Sequence, residues 1–302
     1  NRGIEVEFTA ALTRSDSPLA WDISFNASTT KSKILKLPEN GAENNRVGGV
    51  YVWDPSINRY NWLGGLQEGG RIGDFFAWQQ VGIYSTDEEA KSAPIDQTMP
   101  FADKTKYGGD VNYLDLDRND TLDTRDLVYQ GNPYPTLTGG FSTSLYYKGI
   151  GLYIRMDYTK GHTIYNYAKI FQSGTWAGNL NIPQEMVDKA WKQEGDIATR
   201  SQYIPGTANY SYWRGSAYHL TSTNSEFYER GDFLCLREIT LSYNLPQWIA
   251  NKIKLNDIRL NLTANNLFYF TDYTGMNPED GGLDQGRYPM PRSLIFGIKL
   301  GL

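Results

Sequence analysis

The stretch that decides the fold is Phe227–Pro246, FYERGDFLCLREITLSYNLP, in which apolar and polar residues alternate. Every second residue from Ile239 to Tyr243 is apolar, and successive side chains of a strand point to opposite faces of a sheet. Similar alternation occurs at the start of Leu262–Glu279, LTANNLFYFTDYTGMNPE, and at the end of Gly286–Leu302, GRYPMPRSLIFGIKLGL. The last third of the chain is therefore predicted to form β-strands with one apolar and one polar face.

The same period of two recurs upstream, and it predicts seven strands in all. They lie at Gly3–Arg14, Leu19–Thr29, Gly140–Tyr147, Ile150–Tyr158, Phe233–Leu245, Ile258–Phe268 and Leu294–Leu302. Strands of about ten residues are longer than those of most globular sheets, and they match the length that crosses a bilayer at a tilt. The fold class predicted is all-β, a portion of a transmembrane antiparallel β-barrel.

The connections between these strands alternate between short turns and very long segments, as in outer-membrane barrels. Residues 33–138 and 161–231 are expected to be the long extracellular loop regions, and Leu245–Ile253 is expected to be a helical turn on the periplasmic side. Seven is an odd number of crossings, and the edges of such a sheet cannot stay unpaired in hydrocarbon. Residues 1–302 are therefore expected to be part of a larger barrel, completed by polypeptide that precedes Asn1.

The alternation assigns each strand residue to the lipid or to the barrel interior. The predicted lipid-facing residues include Ile4, Phe8, Trp21, Phe25, Ile154, Leu260, Phe296 and Ile298, and the predicted lumen-facing residues include Glu5, Glu7, Arg155, Asp157 and Arg259. A soluble, secreted, calcium-dependent glycan-binding β-sandwich is the alternative, because its strands also alternate.

Composition excludes several classes of function. The 302 residues carry a net charge of −5, with one cysteine and two histidines. Without a basic stretch, nucleic acid is not an expected partner, and one cysteine cannot form an internal disulfide. No nucleophile–base set and no glycine-rich phosphate loop occur, so we expect no catalytic residues and no enzyme activity.

One acidic motif has the spacing of a calcium-binding loop. Oxygen donors occur at relative positions 1, 3, 5, 7, 9 and 12 of the loop, at Asp115, Asp117, Asn119, Thr121, Asp123 and Asp126. Asp120 stands at the position that usually holds glycine, although aspartate can adopt the left-handed conformation. The motif predicts either a structural Ca²⁺ site or a solvated acidic loop whose side chains bond their own backbone. No other cofactor is expected.

The second long segment is rich in aromatic residues, which suit contacts with sugars, peptides or a partner protein. The candidates for substrate or partner contact are Tyr165, Tyr167, Trp176, Tyr210 and Trp213. The alternative for each ring is packing of the loops on one another. A short helix is predicted over Ile182–Glu194, with Met186, Val187, Ala190 and Trp191 on one face.

The three C-terminal stretches closely resemble the last strands of SusC/RagA-like TonB-dependent outer-membrane transporters. The resemblance extends through Asn1–Phe8, NRGIEVEF, and Gly109–Leu152. It implies a barrel of twenty-two strands plugged by an N-terminal domain. The plug and the TonB box are not recognised in residues 1–302 and are expected in the part of the transporter that precedes Asn1. It also implies TonB-dependent import of an oligosaccharide or oligopeptide across the outer membrane of a Gram-negative, Bacteroidetes-like cell. The expected partners are the rest of the transporter, TonB, a SusD-like surface lipoprotein and outer-membrane lipid.

Overall fold

A computed structural model describes residues 1–97, 105–172, 183–204, 212–213 and 224–301. These residues form strands joined by long connections with few and short helices. None of the helices within the described ranges is long and apolar enough to cross a membrane.

The described residues form twenty strands and four α-helices. The strands are β1 (Arg2–Ala11), β2 (Leu19–Lys31), β3 (Val50–Asp54), β4 (Arg59–Leu63), β5 (Phe75–Trp78), β6 (Gln80–Ile83), β7 (Ile95–Asp96), β8 (Val111–Tyr113), β9 (Thr121–Leu122), β10 (Leu127–Gly131), β11 (Leu137–Tyr147), β12 (Ile150–Lys160), β13 (Thr163–Asn166), β14 (Tyr203–Ile204), β15 (Tyr212–Trp213), β16 (Tyr228–Arg230), β17 (Phe233–Asn244), β18 (Asp257–Thr271), β19 (Leu283–Asp284) and β20 (Ser293–Gly301). The helices are α1 (Asp87–Lys91), α2 (Tyr167–Gln172), α3 (Gln184–Asp188) and α4 (Gln247–Lys252).

Seven long strands form one antiparallel sheet, here called the main sheet. Its order is β1-β2-β11-β12-β17-β18-β20, so each strand pairs with the next long strand along the chain. The seven strands predicted from the sequence are confirmed. Lys148 and Gly149 have φ values of 47° and 90° and join β11 to β12 in a two-residue turn of the kind that matches strand twist.

The register of the main sheet separates its residues into a polar face and an apolar face. One row of paired residues that crosses all seven strands is polar: Thr9, Ser24, Ser142, Arg155, Glu238, Asn265 and Ser293. A neighbouring row on the other face is apolar: Phe8, Phe25, Phe141, Met156, Leu236 and Phe268. The two sets predicted to face lipid and lumen therefore lie on opposite faces of the sheet.

The buried core lies outside the main sheet, within the long connections. Its largest cluster contains Val52, Trp78, Ile83, Val111, Tyr113, Leu122, Leu127 and Trp191. Trp191 belongs to the second long connection, and its Nε1–H donates to the backbone carbonyl of Ser85 in the first at 3.0 Å. The third connection is attached to the second, because its strand β19 pairs with β13. We call the described residues of 32–136, 161–232 and 272–292 the connection lobe.

The helix predicted over Ile182–Glu194 is shorter in the structure, where α3 ends at Asp188. Of the four residues predicted to share one face, Met186, Ala190 and Trp191 are buried, and Val187 is 39% exposed. The backbone N–H of Trp191 donates to the carbonyl of Arg200 at 2.9 Å, a tertiary contact that replaces a further helical turn. The turn helix predicted at residues 245–253 is present as α4.

Candidate functional site

The acidic motif forms a tight loop between β8 and β10. The carboxylate of Asp115 accepts hydrogen bonds from the backbone N–H groups of Arg118, Asn119 and Asp120, at 2.8, 3.3 and 2.9 Å. Asp120 has φ 59°, the left-handed conformation expected of it, and Arg118 has φ 60°. Carboxylates that bond the backbone a few residues ahead favour this kind of turn. The loop therefore turns without the glycine that such loops usually contain.

Three carboxylates of this motif lie together. Asp115, Asp117 and Asp126 each place one oxygen within 4.8 Å of the others. Asp126 is fully buried, and its oxygens accept from the backbone N–H groups of Leu116 and Asp123 at 2.9 and 2.8 Å. Burial raises the pKa of Asp126 to about 6. A hard cation with several oxygen ligands fits this donor set, because it would neutralise three carboxylates that repel one another.

The other three predicted ligands have different surroundings. The carboxylate of Asp123 accepts from Nε of Arg125 at 2.8 Å and from the Arg125 backbone N–H at 2.7 Å, so it caps the 3₁₀ helix Thr124–Asp126. Asn119 accepts from the backbone N–H of Thr121 at 2.8 Å and donates to Asp117 at 2.9 Å. The structure thus brings together the first, third and twelfth positions of the motif, and it turns the ninth towards an arginine.

The acidic loop is attached to an aromatic hairpin formed by β3 and β4. The hydroxyl of Tyr60 donates to Oδ2 of Asp117, and the guanidinium of Arg125 lies 5.6 Å from the centre of the Tyr60 ring. The hydrogen bond to the negatively charged Asp117 raises the pKa of Tyr60. The position of Asp117 therefore depends on a residue far away in the sequence.

The hairpin carries four aromatic rings on one face, here called the aromatic strip: Tyr51, Trp53, Tyr60 and Trp62. Tyr51 lies opposite Trp62 and its ring centre is 5.5 Å from that of Trp62; Trp53 and Tyr60 are 5.1 Å apart. Val52 points to the other side and is buried in the core. Our sequence analysis did not select these residues. The alternation of VYVWD and RYNWL around a turn is the signal that could have identified them.

The aromatic residues predicted from the sequence to contact substrate or a partner lie in different surroundings. The ring of Tyr165 stacks on Tyr228 at 5.1 Å between centres and lies 5.9 Å from Tyr167. Both selected tyrosines pack against a small core cluster of the connection lobe. Trp176 and Tyr210 lie outside the described residues, and Trp213 is placed as the strand partner of Tyr203. The described contacts of Tyr165 and Tyr167 are packing contacts between parts of the lobe.

A charge cluster lies at a bulge of the main sheet, where Arg237 is an extra residue of β17 relative to β12. Its Nε donates to Asp157 at 2.7 Å, its Nη2 to Glu279 at 2.7 Å and its Nη1 to Asn266 at 3.1 Å. The Tyr269 hydroxyl also donates to Glu279, at 2.6 Å. Because Glu279 belongs to the third connection, Arg237 fastens the connection lobe to the sheet. Two adjacent charged residues within an alternating strand are the signal that sequence analysis passed over.

No family model matches the chain. The chain is 27% identical over 339 residues to TonB-dependent receptor P39 of Formosa agariphila, and 27% identical over 318 residues to TonB-dependent receptor P3 of the same organism. Each alignment covers 99% of this chain. This chain is related to the TonB-dependent receptors. It spans 30% and 28% of the length of those two proteins.

Solved structures show the same fold. The structure of the RagAB peptide transporter superposes with a TM-score of 0.66 at 19% identity, over 99% of this chain and 29% of that chain. The RagAB peptide importer in a "closed-closed" state gives the same TM-score at 20% identity. The main sheet is thus a section of an antiparallel β-barrel, and the resemblance to SusC/RagA-like receptors is confirmed. These relatives are receptors and transporters rather than enzymes.

Proposed function

We propose that this chain is the C-terminal barrel section of an outer-membrane transporter that imports a large nutrient by TonB-dependent active transport. The observation that carries the proposal is the exposed apolar face of the main sheet. Five large side chains of this face are 38–72% exposed: Ile4, Phe8, Trp21, Phe296 and Leu294. A contiguous exposed apolar surface of this kind marks contact with a membrane or with another protein.

The soluble β-sandwich is not favoured by the described residues. A sandwich buries its apolar face against a second sheet about 10 Å away. In this chain the buried core belongs to the connection lobe, and Phe8 and Phe296 remain 54% and 65% exposed. Lipid is the partner that covers such a face in a barrel, while the polar row of the opposite face contacts water in the lumen.

The remaining partners follow from the edges of the sheet and from the relatives. Within the described residues, β1 and β20 each pair on one side only, and an open edge in hydrocarbon leaves backbone groups unsatisfied. We propose that the rest of the transporter, with its plug and TonB box, completes the barrel. A SusD-like surface lipoprotein would cover the connection lobe, which contains most of the predicted extracellular loop regions 33–138 and 161–231 together with residues 272–292. The Formosa relatives support a Gram-negative, Bacteroidetes-like outer membrane as the location.

The acidic loop would hold Ca²⁺ as a structural ion. Asp115, Asp117 and Asp126 would supply carboxylate ligands, and the ion would brace the aromatic hairpin through Tyr60. It would take no part in a chemical reaction.

The proposed function is tested with the full-length transporter in its native host. Deletion of the gene should abolish growth on one large nutrient, oligosaccharide or oligopeptide, and the same loss should follow removal of TonB. Purification of the transporter in mild detergent should recover a surface lipoprotein with it. Recovery of the protein in the soluble fraction after lysis would refute the membrane location. Uptake that persists without TonB would refute the transport mechanism.

A further inference from the structure

A pocket of about 340 Å³ opens on the connection lobe, between the end of β4, the following glycine-rich turn, β5 and β10. Its lining consists of Leu63, Gly64, Gln67, Gly69, Gly70, Arg71, Asp74, Phe76 and Tyr129. This volume lies at the lower end of the range for small-molecule sites. None of the residues that line the pocket belongs to the acidic loop, to the aromatic strip or to the polar face of the main sheet.

The charged side chains of the pocket neutralise one another. Nη2 of Arg71 donates to Oδ1 of Asp74 at 3.0 Å and to the hydroxyl of Tyr129 at 2.6 Å. The guanidinium of Arg71 also lies 5.7 Å from the centre of the Tyr129 ring. Among the described residues, Nε and Nη1 of Arg71 and Oδ2 of Asp74 make no further hydrogen bond, and the Arg71 side chain is 48% exposed. Donors and an acceptor are thus available together, with no net charge.

A third planar polar group and two rings complete the site. Nε2 of Gln67 donates to the carbonyls of Trp62 and Gly64 at 3.2 and 3.3 Å, which leaves its Oε1 as an acceptor. The rings of Phe76 and Tyr129 lie edge to face, 5.8 Å apart. Gly64 has φ +66°, and a Cβ atom there would lie 2.7 Å from the Phe76 ring. Glycine at this position therefore permits the turn and its close approach to the ring of Phe76.

We propose that this pocket binds one ring of a neutral oligosaccharide. Each sugar hydroxyl both donates and accepts a hydrogen bond, so neighbouring hydroxyls suit a guanidinium, a carboxylate and an amide held side by side. The aromatic rings supply an apolar surface for the C–H face of the sugar. The charges of Arg71 and Asp74 balance, so the pocket has no net charge that would favour an ionic ligand over a neutral one. A peptide recognised through its main chain would need an exposed strand edge, whereas the polar atoms here belong to side chains.

This inference rests on the proposed function, because it names the substrate class of the same transporter. The test uses the full-length transporter in detergent and measures binding of maltohexaose, cellohexaose, xylohexaose and mannohexaose by titration calorimetry. Tyr129→Leu removes a lining ring, and Arg71→Lys keeps the charge but loses the planar fork of donors. Tyr134→Leu is the matched control, since Tyr134 is 61% exposed on the same lobe and does not line the pocket. Equal amounts of each variant in the outer membrane show that folding is intact.

We expect at least one of these hexasaccharides to bind the wild-type protein. Tyr129→Leu and Arg71→Lys should each weaken that binding about tenfold or more, and Tyr134→Leu should leave it unchanged. Binding of none of the four, unchanged binding by both pocket variants, or displacement of the saccharide by a tryptic digest of casein would each overturn the inference. TonB-dependent uptake measured in the same strains tests the proposed function alone. TonB-dependent uptake without binding of any of the saccharides would refute saccharide binding by the pocket but would still agree with the proposed transport function.

Discussion

The assignment of the two faces of the main sheet predicts opposite outcomes for neighbouring residues of β12. Ile154 is the fifth of the eleven residues of this strand, so it lies close to the middle of the crossing. It pairs with Thr143 on one side and Ile239 on the other, within the apolar face. Arginine at the midplane on a lipid-facing position costs about 2–4 kcal/mol, a factor of about 30 to 800 in the folding equilibrium. Ile154→Arg should therefore severely impair assembly.

The matched substitution is Arg155→Ile on the next residue. Arg155 is exposed on the polar face and lies opposite Ser142 and Glu238. A cross-strand pair of opposite charges at an exposed position contributes about 0.2–1 kcal/mol, so its loss should be mild. The substituted positions are adjacent in the chain. The expected loss of folding free energy is nevertheless larger for Ile154→Arg by at least about 1 kcal/mol.

The assay is the fraction of full-length transporter that reaches the outer membrane in a folded form, read from the mobility of unheated samples on a gel. The midpoint of unfolding in guanidinium chloride gives the corresponding free energy for the protein that does assemble. Ile154→Arg should lower both readings, and Arg155→Ile should leave both close to wild type. Equal effects of the two substitutions, or a larger effect of Arg155→Ile, would show that the lipid and lumen faces are assigned the wrong way round.

Three further predictions concern the connections. Chelation of Ca²⁺ should make the loop near Thr121 sensitive to protease without unfolding the barrel. Asp126→Asn should give the same cleavage pattern with calcium present. Cleavage that is unchanged by chelation and by the substitution would contradict the proposed metal site. Tyr60→Phe removes the hydroxyl that bonds Asp117 and should weaken calcium binding, measured by titration, by about 1–2 kcal/mol; an unchanged affinity would show that the hairpin does not brace the loop. Arg237→Met leaves two carboxylates without their cation and should lower the stability against guanidinium chloride by about 1–3 kcal/mol; a variant as stable as wild type would mean that the cluster does not hold the lobe.

The main sheet was predictable because its signal is local. Each strand repeats a two-residue alternation over about ten residues, and a shift by one residue would exchange its lipid and lumen faces. The bulge at Arg237 was harder, since one extra residue appears in the sequence only as the adjacent charges Arg237-Glu238. Beyond the bulge the alternation changes phase, so that Leu236 joins the apolar row while Cys235 pairs with Asp157. A periodicity analysis that runs straight through a bulge assigns one end of the strand to the wrong face.

The connection lobe was not predictable, because its contacts join residues far apart in the chain. Trp191 is buried against the first connection, and its backbone pairs with Arg200 instead of continuing α3. Helix propensity predicts a longer helix there, and tertiary packing overrides it. The spacing of the acidic loop includes Asp115, Asp117 and Asp126, whose carboxylates lie together, but it could not show that Asp123 faces Arg125. The calcium site itself stays a prediction.

The separation between sheet and lobe determines how the tests of function can be interpreted. The buried clusters of the lobe contain no residue of the main sheet, and Arg237 with Glu279 is one of the contacts that join the two parts. Binding residues carried by connections on a rigid scaffold can change without disturbing the scaffold. Substitutions at Arg71 and Tyr129 should therefore leave assembly intact while they change binding, whereas Ile154→Arg should reduce assembly and binding together. A pocket variant that fails to assemble would show that the lobe and the barrel wall fold as one unit.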